Sequence, residues 1–199
     1  MLRQIRPAIV LLVLMTVLTG LAYPLAITGA AAILFPKQAG GSLIVQNDKV
    51  IGSELIGQNF TDPKYFHGRP SATTEPDPND STKTISVPYA ADNSAGANLG
   101  PTSKALIDRV SGDVDALKKE NAGVAIPVDL VTTSASGLDP DITPAAAEFQ
   151  VPRVAAARHI PAEKVQALVA AATEDRFLGV LGEPRVNVLK LNLALDAAK

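Results

Sequence analysis

Hydrophobic and polar positions divide the chain into two regimes. Between Arg6 and Lys37 lie 30 residues with no ionisable side chain except Tyr23, most of them Leu, Val, Ile or Ala. Beyond Lys37 the apolar residues come in short runs and helix-spaced sets, broken by proline and glycine. A helix over residues 8–34 holds 27 residues and is about 40 Å long at roughly 1.5 Å per residue. A bilayer core needs only about 20 residues, so the run is long enough to cross with tilt. The rival reading is a cleaved signal peptide, with Arg3 and Arg6 as its basic start and Ala30-Ala31-Ala32 as a cleavage pattern. The run is long for that, because it continues through Ile33-Leu34-Phe35. Within it Thr16, Gly20, Pro24 and Thr28 recur every four residues and form one slightly drifting stripe. Small residues at that spacing let another helix approach closely. Pro24 predicts a kink about midway.

In the remainder, Leu43-Ile44-Val45 and Lys49-Val50-Ile51 flank Gln46-Asn47-Asp48 and predict a hairpin. Residues 61–102 carry Pro63, Pro70, Pro76, Pro78, Pro88 and Pro101 among many Asp, Asn, Ser and Thr. Sparse regular structure and a long loop are expected there. After Gly100-Pro101-Thr102 a helix is expected, with Leu106, Ile107, Val110, Val114 and Leu117 as its buried face and Gly123 past its end. Val128-Asp129-Leu130-Val131 reads as a short strand. Thr143-Pro144 supplies an N-cap and first helical residue. That helix is expected to break near Pro152 and resume to Arg158. Pro161 opens another, with Val165, Leu168 and Val169 inward. Val186-Asn187-Val188 reads as a strand, and residues 189–195 as a closing helix with Leu191 and Leu195 on one face. The fold class is α+β: a short N-terminus (1–7), one transmembrane helix (8–35) and one compact domain (36–199).

Charge gives this arrangement a direction. Arg3, Arg6 and the α-amino group precede the apolar run, whereas Lys37 stands alone after it until Lys49. Positive residues stay on the cytoplasmic side, so the N-terminus is expected inside and the 163 residues from 37 to 199 outside. Without Arg3 and Arg6, 16 Lys and Arg face 20 acids, a net charge of −4. That balance, with 4% aromatics, argues against nucleic acid as a partner. There are no cysteines and only two histidines, which excludes disulfides and thiol chemistry and leaves little for a metal site.

No catalytic constellation emerges. No serine begins an S-x-x-K signature, and G-x-S-x-G, H-E-x-x-H and a Walker A lysine are all missing. His67 and His159 read as capping or surface residues, and Asp139-Pro140-Asp141 as a turn into the Thr143 helix start. Ser134-Ala135-Ser136-Gly137 lacks the lysine and glycine density of a phosphate cradle. Glu75, Asp77 and Asp80 read as a solvated acidic loop or as weak cation-steering residues near a pore mouth. Arg69, Asn93, Arg153, Arg185 and Asn187 are buried-looking polar residues suited to holding irregular backbone.

Several stretches carry a resemblance: Leu55-Ile56-Gly57-Gln58, Tyr65-Phe66, Arg69-Pro70-Ser71, Asn93-Ser94 and Asn98-Leu99-Gly100-Pro101-Thr102. They continue through Pro127-Val128-Asp129-Leu130-Val131-Thr132, Ser136-Gly137-Leu138-Asp139-Pro140 and Gly182-Glu183-Pro184-Arg185-Val186-Asn187-Val188. Together they make the chain resemble the KdpC family, the C subunit of the Kdp-type potassium-transporting P-type ATPase. The resemblance implies a non-catalytic accessory subunit that stabilises a complex. Its partners would be a potassium-binding channel-like subunit, an ATP-hydrolysing P-type subunit, a small single-span subunit and the lipid bilayer of a plasma (inner) membrane. It also implies a catalytic-chaperone role favouring ATP binding by the pump subunit, with no cofactor held directly by this chain. Arg69, Asn93, Asn98, Asp139, Arg153, Glu183, Arg185 and Asn187 are then candidates for partner contact or structural roles. With the bulk of the chain outside, only the first six residues face the nucleotide compartment, so an influence on ATP would be indirect. A membrane-anchored periplasmic ligand-binding module is the alternative.

Overall fold

The apolar run forms a helix from Ile5 to Leu34, 30 residues with a mean hydropathy of 2.3 and none of its most apolar stretch buried within the chain. The computed structural model describes residues 2–198; the α-amino group of Met1, counted in the charge asymmetry, lies outside them. The helix consists of α1 (Ile5–Val17), a π-helical turn (Leu18–Ala22) and α2 (Tyr23–Leu34). The expected disturbance at Pro24 therefore takes the form of a widened turn just before it. Proline has no N–H, and its ring crowds the carbonyl four residues back, here that of Gly20. The Tyr23 N–H instead reaches five residues back to the Leu18 carbonyl, and the Thr19 hydroxyl donates to the Met15 carbonyl at 2.7 Å. A short helix, α3 (Pro36–Ala39), follows.

Next comes a hairpin of β1 (Leu43–Gln46) and β2 (Lys49–Ser53). Asn47 and Asp48 both have positive φ, 51° and 58°, as a two-residue turn matched to strand twist requires. By compactness the chain divides between Ile51 and Gly52.

From Gly52 onward the structure is α+β. Helices α5 (Pro144–Arg158), α6 (Ala162–Ala172) and α7 (Val188–Ala197) accompany a small antiparallel sheet. Its order is β5 (Asp141–Ile142), β7 (Arg185–Asn187), β6 (Thr173–Glu174). Phe66, Ile142, Phe149, Val151, Val154, Val165, Val169, Val186, Leu191 and Leu195 belong to the core. Ala146, Ala147 and Ala155 are buried in α5, and such small side chains let neighbouring elements close in. Thr143 caps α5 by accepting the Ala146 N–H at 3.1 Å. Its own N–H and hydroxyl go to the two oxygens of buried Asp129, at 2.8 and 3.2 Å.

Four expectations need correction. Residues 128–131 do not form a strand: Val128–Leu130 is a 3-10 turn, which turns the Asp129 carboxylate toward Thr143. Helix α5 runs unbroken through Pro152. Pro152 and Glu148, whose carbonyl loses its helix partner there, are both solvent-exposed, where leaving a carbonyl to solvent costs little. The proline-dense stretch is not structureless: β3 (Thr74–Asp77) and β4 (Asp80–Ser86) pair as an antiparallel ribbon with a register shift after Pro76. A two-stranded ribbon has only edges, where proline is tolerated. Finally, α4 (Lys104–Glu120) buries no residue fully. Leu106, Val110, Val114 and Leu117 are half-buried, and Ile107 faces solvent.

Candidate functional site

The stripe on the apolar helix is straighter than a regular helix would make it. Four residues advance a helix by about 40° beyond one full turn, so Thr16 to Thr28 drifts by about 120°. A π-turn takes up about one extra residue, close to 100°. Its place between Thr16 and Pro24 therefore nearly cancels the drift. A Cβ on Gly20 meets nothing within 4 Å, so the helix itself leaves that notch open.

Beyond Gly52, polar side chains take over work that strands usually do. Phe66 and His67 lie in irregular backbone. The Phe66 N–H donates to Asn192 Oδ1 at 2.8 Å and its carbonyl accepts from Asn192 Nδ2 at 3.0 Å. His67 exchanges the same pair of bonds with Gln150, at 2.8 and 3.1 Å. Gln150 and Asn192 are buried amides on α5 and α7. Arg153 fastens the preceding turn. It donates to the Pro63 and Tyr65 carbonyls at 2.6 and 2.9 Å, to Gln150 Oε1 at 2.6 Å and to Glu120 Oε1 at 2.8 Å. The sequence reading singled out Arg153 but missed Gln150 and Asn192. Their signal was an amide inside an otherwise apolar helix face. His67 is half-buried rather than at the surface. Burial, and then the Arg153 charge, hold its pKa below the usual imidazole value.

Arg69 holds a second knot. It pairs with Asp139 at 2.9 Å and donates to the Thr132 and Thr133 carbonyls, both at 3.4 Å. Its own carbonyl accepts from the Tyr89 hydroxyl at 2.8 Å. Burial, and then the nearby Asp139 charge, push that phenol up to about 12. The Tyr89 ring fits because Gly57 and Gly68 lack side chains: a Cβ on either would collide with it. Ser134 Oγ accepts the Gly137 N–H and Ser136 Oγ the Leu138 N–H. Two N–H groups at this turn, those of Gly137 and Leu138, are thus spent on the turn itself.

Between these knots and α4 lies a cleft of about 690 Å³. Phe60, Pro88, Tyr89, Leu99 and Leu117 give it apolar walls, and Arg69, Arg109, His67 and Gln150 add polar ones. Arg109 donates to Asp113 at 2.7 Å and to the Val131 carbonyl at 3.2 Å, while its buried Nε lacks a hydrogen-bond partner.

Of the remaining candidates, Asn187 alone is buried; it caps α7 and donates to Asp141 at 3.1 Å and the Glu54 carbonyl at 3.0 Å. Asp141 is nonetheless held above the ordinary carboxylate pKa, because burial outweighs its partners Asn187 and Arg185. The expectation that Arg185 and Asn93 are buried is corrected. Arg185 is exposed and pairs with Glu174 and Asp141 at 3.0 and 3.3 Å. Exposed Asn93 donates to the Thr74 carbonyl. Both reach their acceptors from the surface. Asn98 is exposed, with φ of 49°, and exposed Glu183 pairs with Arg176. Asp77 and Asp80 accept from their own turn, and Asp80 also pairs with Lys83 at 2.9 Å. Glu75 sits opposite Ile85 in the ribbon. Among the described residues no group of three or more His, Cys, Asp or Glu is placed to hold a metal ion.

Comparison with known proteins gives this arrangement a lineage. The family model described as KdpC, the K+-transporting ATPase c chain, matches residues 5–197. The potassium-transporting ATPase KdpC subunit of Bradyrhizobium diazoefficiens is 71% identical over 198 residues, covering 100% of this chain and 98% of that one. Its counterpart in Rhodopseudomonas palustris strain BisB18 is 69% identical over 199 residues, covering both chains fully. The one in Methylobacterium nodulans is 64% identical over 196 residues, 98% of each chain. With a match that begins in the apolar helix and ends in α7, the chain belongs to the KdpC family, the c chain of the K+-transporting ATPase.

Proposed function

We propose that this chain is a non-catalytic accessory subunit of an ATP-driven, high-affinity potassium uptake pump. The relatives are named as subunits, which makes partner chains the natural counterpart of an apolar helix that buries nothing within its own chain. That unburied helix, with its straightened face of Thr16, Gly20, Pro24 and Thr28, is the observation that carries the reading. The helix crosses a plasma (inner) membrane with Arg3 and Arg6 on the cytoplasmic side, and the chain beyond it lies outside. It packs against helices of the potassium-binding channel-like subunit, the ATP-hydrolysing subunit or the small single-span subunit. A chaperone-like effect on ATP affinity then acts across the membrane as a coupling between sites, of about 1–3 kcal/mol.

Replacing Gly20 with Leu fills the notch, and the loss of a close helix contact weakens association by about 1–2 kcal/mol. We expect the pump subunits recovered with the chain in mild detergent to fall by about fivefold or more. Leu14→Ala, on the opposite side of α1, should leave recovery unchanged. Full recovery with Gly20→Leu contradicts packing through this face.

The cleft favours a second reading, a membrane-anchored ligand-binding module, since its volume of about 690 Å³ is that of small-molecule sites. The same pull-down separates the two: a wild-type chain that comes down without pump subunits supports the module.

A further inference from the structure

Between β6 and β7 the chain makes a tight turn whose apolar side chains all point at water. Phe177, Leu178, Val180 and Leu181 are 69%, 78%, 74% and 59% exposed. A soluble surface rarely presents four large apolar side chains in one short turn unless something covers them. The turn is also firmly built. The Phe177 N–H donates to the Leu181 carbonyl at 2.8 Å, the Leu181 N–H to the Phe177 carbonyl at 3.0 Å, and the Gly179 N–H to the Arg176 carbonyl at 3.0 Å. Leu178 is held at φ of 53°, a left-handed conformation that Asn or Gly adopts far more easily than Leu. An apolar side chain kept at a strained position, where it touches little of its own chain, answers to a need outside the fold.

The charges at the neck of the turn indicate what that need is. Arg176 pairs with Glu183, and Arg185 with Glu174 and Asp141. Lys190 reaches Glu174 and Glu54, each at 3.4 Å. Every cation from 173 to 190 is thus engaged by a carboxylate, and Asp175 adds a further negative charge. A turn built to enter a lipid surface keeps free Lys and Arg for the anionic headgroups. This one has an apolar tip above a collar in which each cation is already paired with a carboxylate, the composition of a protein interface whose charges stay out of its centre.

We propose that the Phe177–Leu181 turn is a preformed docking wedge that inserts into an apolar recess on a partner chain of the potassium pump. This rests on the assembly reading above. It adds a second contact, independent of the Thr16–Thr28 face, with Leu178 and Val180 as its centre. Because the hydrogen bonds already fix the wedge, little ordering is left to oppose association.

The test uses the full chain expressed with the pump subunits. L178N combined with V180S removes the apolar tip, while Asn suits the left-handed position better than Leu, so the turn is retained. We expect at least tenfold less pump subunit to be recovered with the variant, and an unchanged melting temperature for the chain itself. Leu178 replaced by a photoreactive benzoylphenylalanine should yield a covalent adduct with one pump subunit upon illumination in native membranes. Wild-type recovery by L178N/V180S, or an adduct to lipid only, overturns the wedge while leaving the assembly reading in place. A wild-type chain that brings down no pump subunit overturns both.

Discussion

Phe66 and His67 show how single side chains hold this molecule together. Neither has a neighbouring strand, so Asn192 and Gln150 supply the donors and acceptors that a strand would give. Arg153 then ties Gln150, Glu120 and two carbonyls into one network. Its side chain is only 14% exposed, so truncation leaves buried Gln150 and the half-buried Tyr65 carbonyl short of a donor. Arg153→Met should lower unfolding stability by about 3 kcal/mol in chemical denaturation; a loss below about 1 kcal/mol would make the network decorative. His67 faces Arg153 of α5, Glu120 of α4 and Asp62 of its own turn. Its pKa in the fold lies below the unfolded value of about 6.5. Between those two values the unfolded chain binds the extra proton. Its contribution to stability is therefore complete above about 6.5 and is lost as pH falls through that window. Thermal melts from pH 7 to pH 5 should show wild type losing more stability than His67→Gln; parallel curves would contradict a buried neutral imidazole. Arg69 and Arg153 were legible as holders of backbone because an arginine among Pro, Gly and Tyr has few other uses. Asn93 and Arg185 looked alike in sequence, yet they act from the surface, since exposure depends on neighbours distant along the chain.

At the scale of elements, what could be read was what local chemistry decides. Thr143 and Pro144 start α5 because a hydroxyl cap and a residue without N–H suit the first turn whatever surrounds them. The three-residue strand β7 and the α7 that follows it were visible from apolar spacing. The 3-10 turn at Val128–Leu130 was hidden, because its reason is Asp129 reaching Thr143, 14 residues on. The β3–β4 ribbon was hidden because its strands are polar and contain Pro76. Pro152 marks the limit of the breaker rule. Its ring side is solvated, so the helix bends its bookkeeping rather than its path. Pro152→Ala restores the missing N–H and relieves the clash, offset by a freer unfolded chain. It should raise stability by about 2 kcal/mol, read as a higher denaturant midpoint; a lower midpoint would mean that the proline has a packing role. The same logic accounts for the apolar helix. Pro24 was read as a kink, and the chain answers it with a π-turn that realigns Thr16, Gly20, Pro24 and Thr28.

At the scale of the whole molecule, the apolar helix and the Phe177–Leu181 turn both present large apolar side chains to the outside. Both were present in the sequence. Only the helix announced itself, because 30 residues without charge are conspicuous, whereas four large apolar residues around a glycine resemble a buried strand until the fold shows them facing water. The chain belongs to the KdpC family; the proposal that each of these surfaces meets another subunit, and the account of how they divide the work, depend on sidedness. If Arg3 and Arg6 remain in the cytoplasm, the cleft, the wedge and both arginine knots lie across the membrane from ATP, and every influence on the pump subunit is transmitted rather than direct. Fusing alkaline phosphatase, and separately a cytosolic fluorescent protein, after Lys199 measures this most directly. The account predicts an active phosphatase and a dark fluorescent fusion; a bright fluorescent fusion with an inactive phosphatase would contradict it.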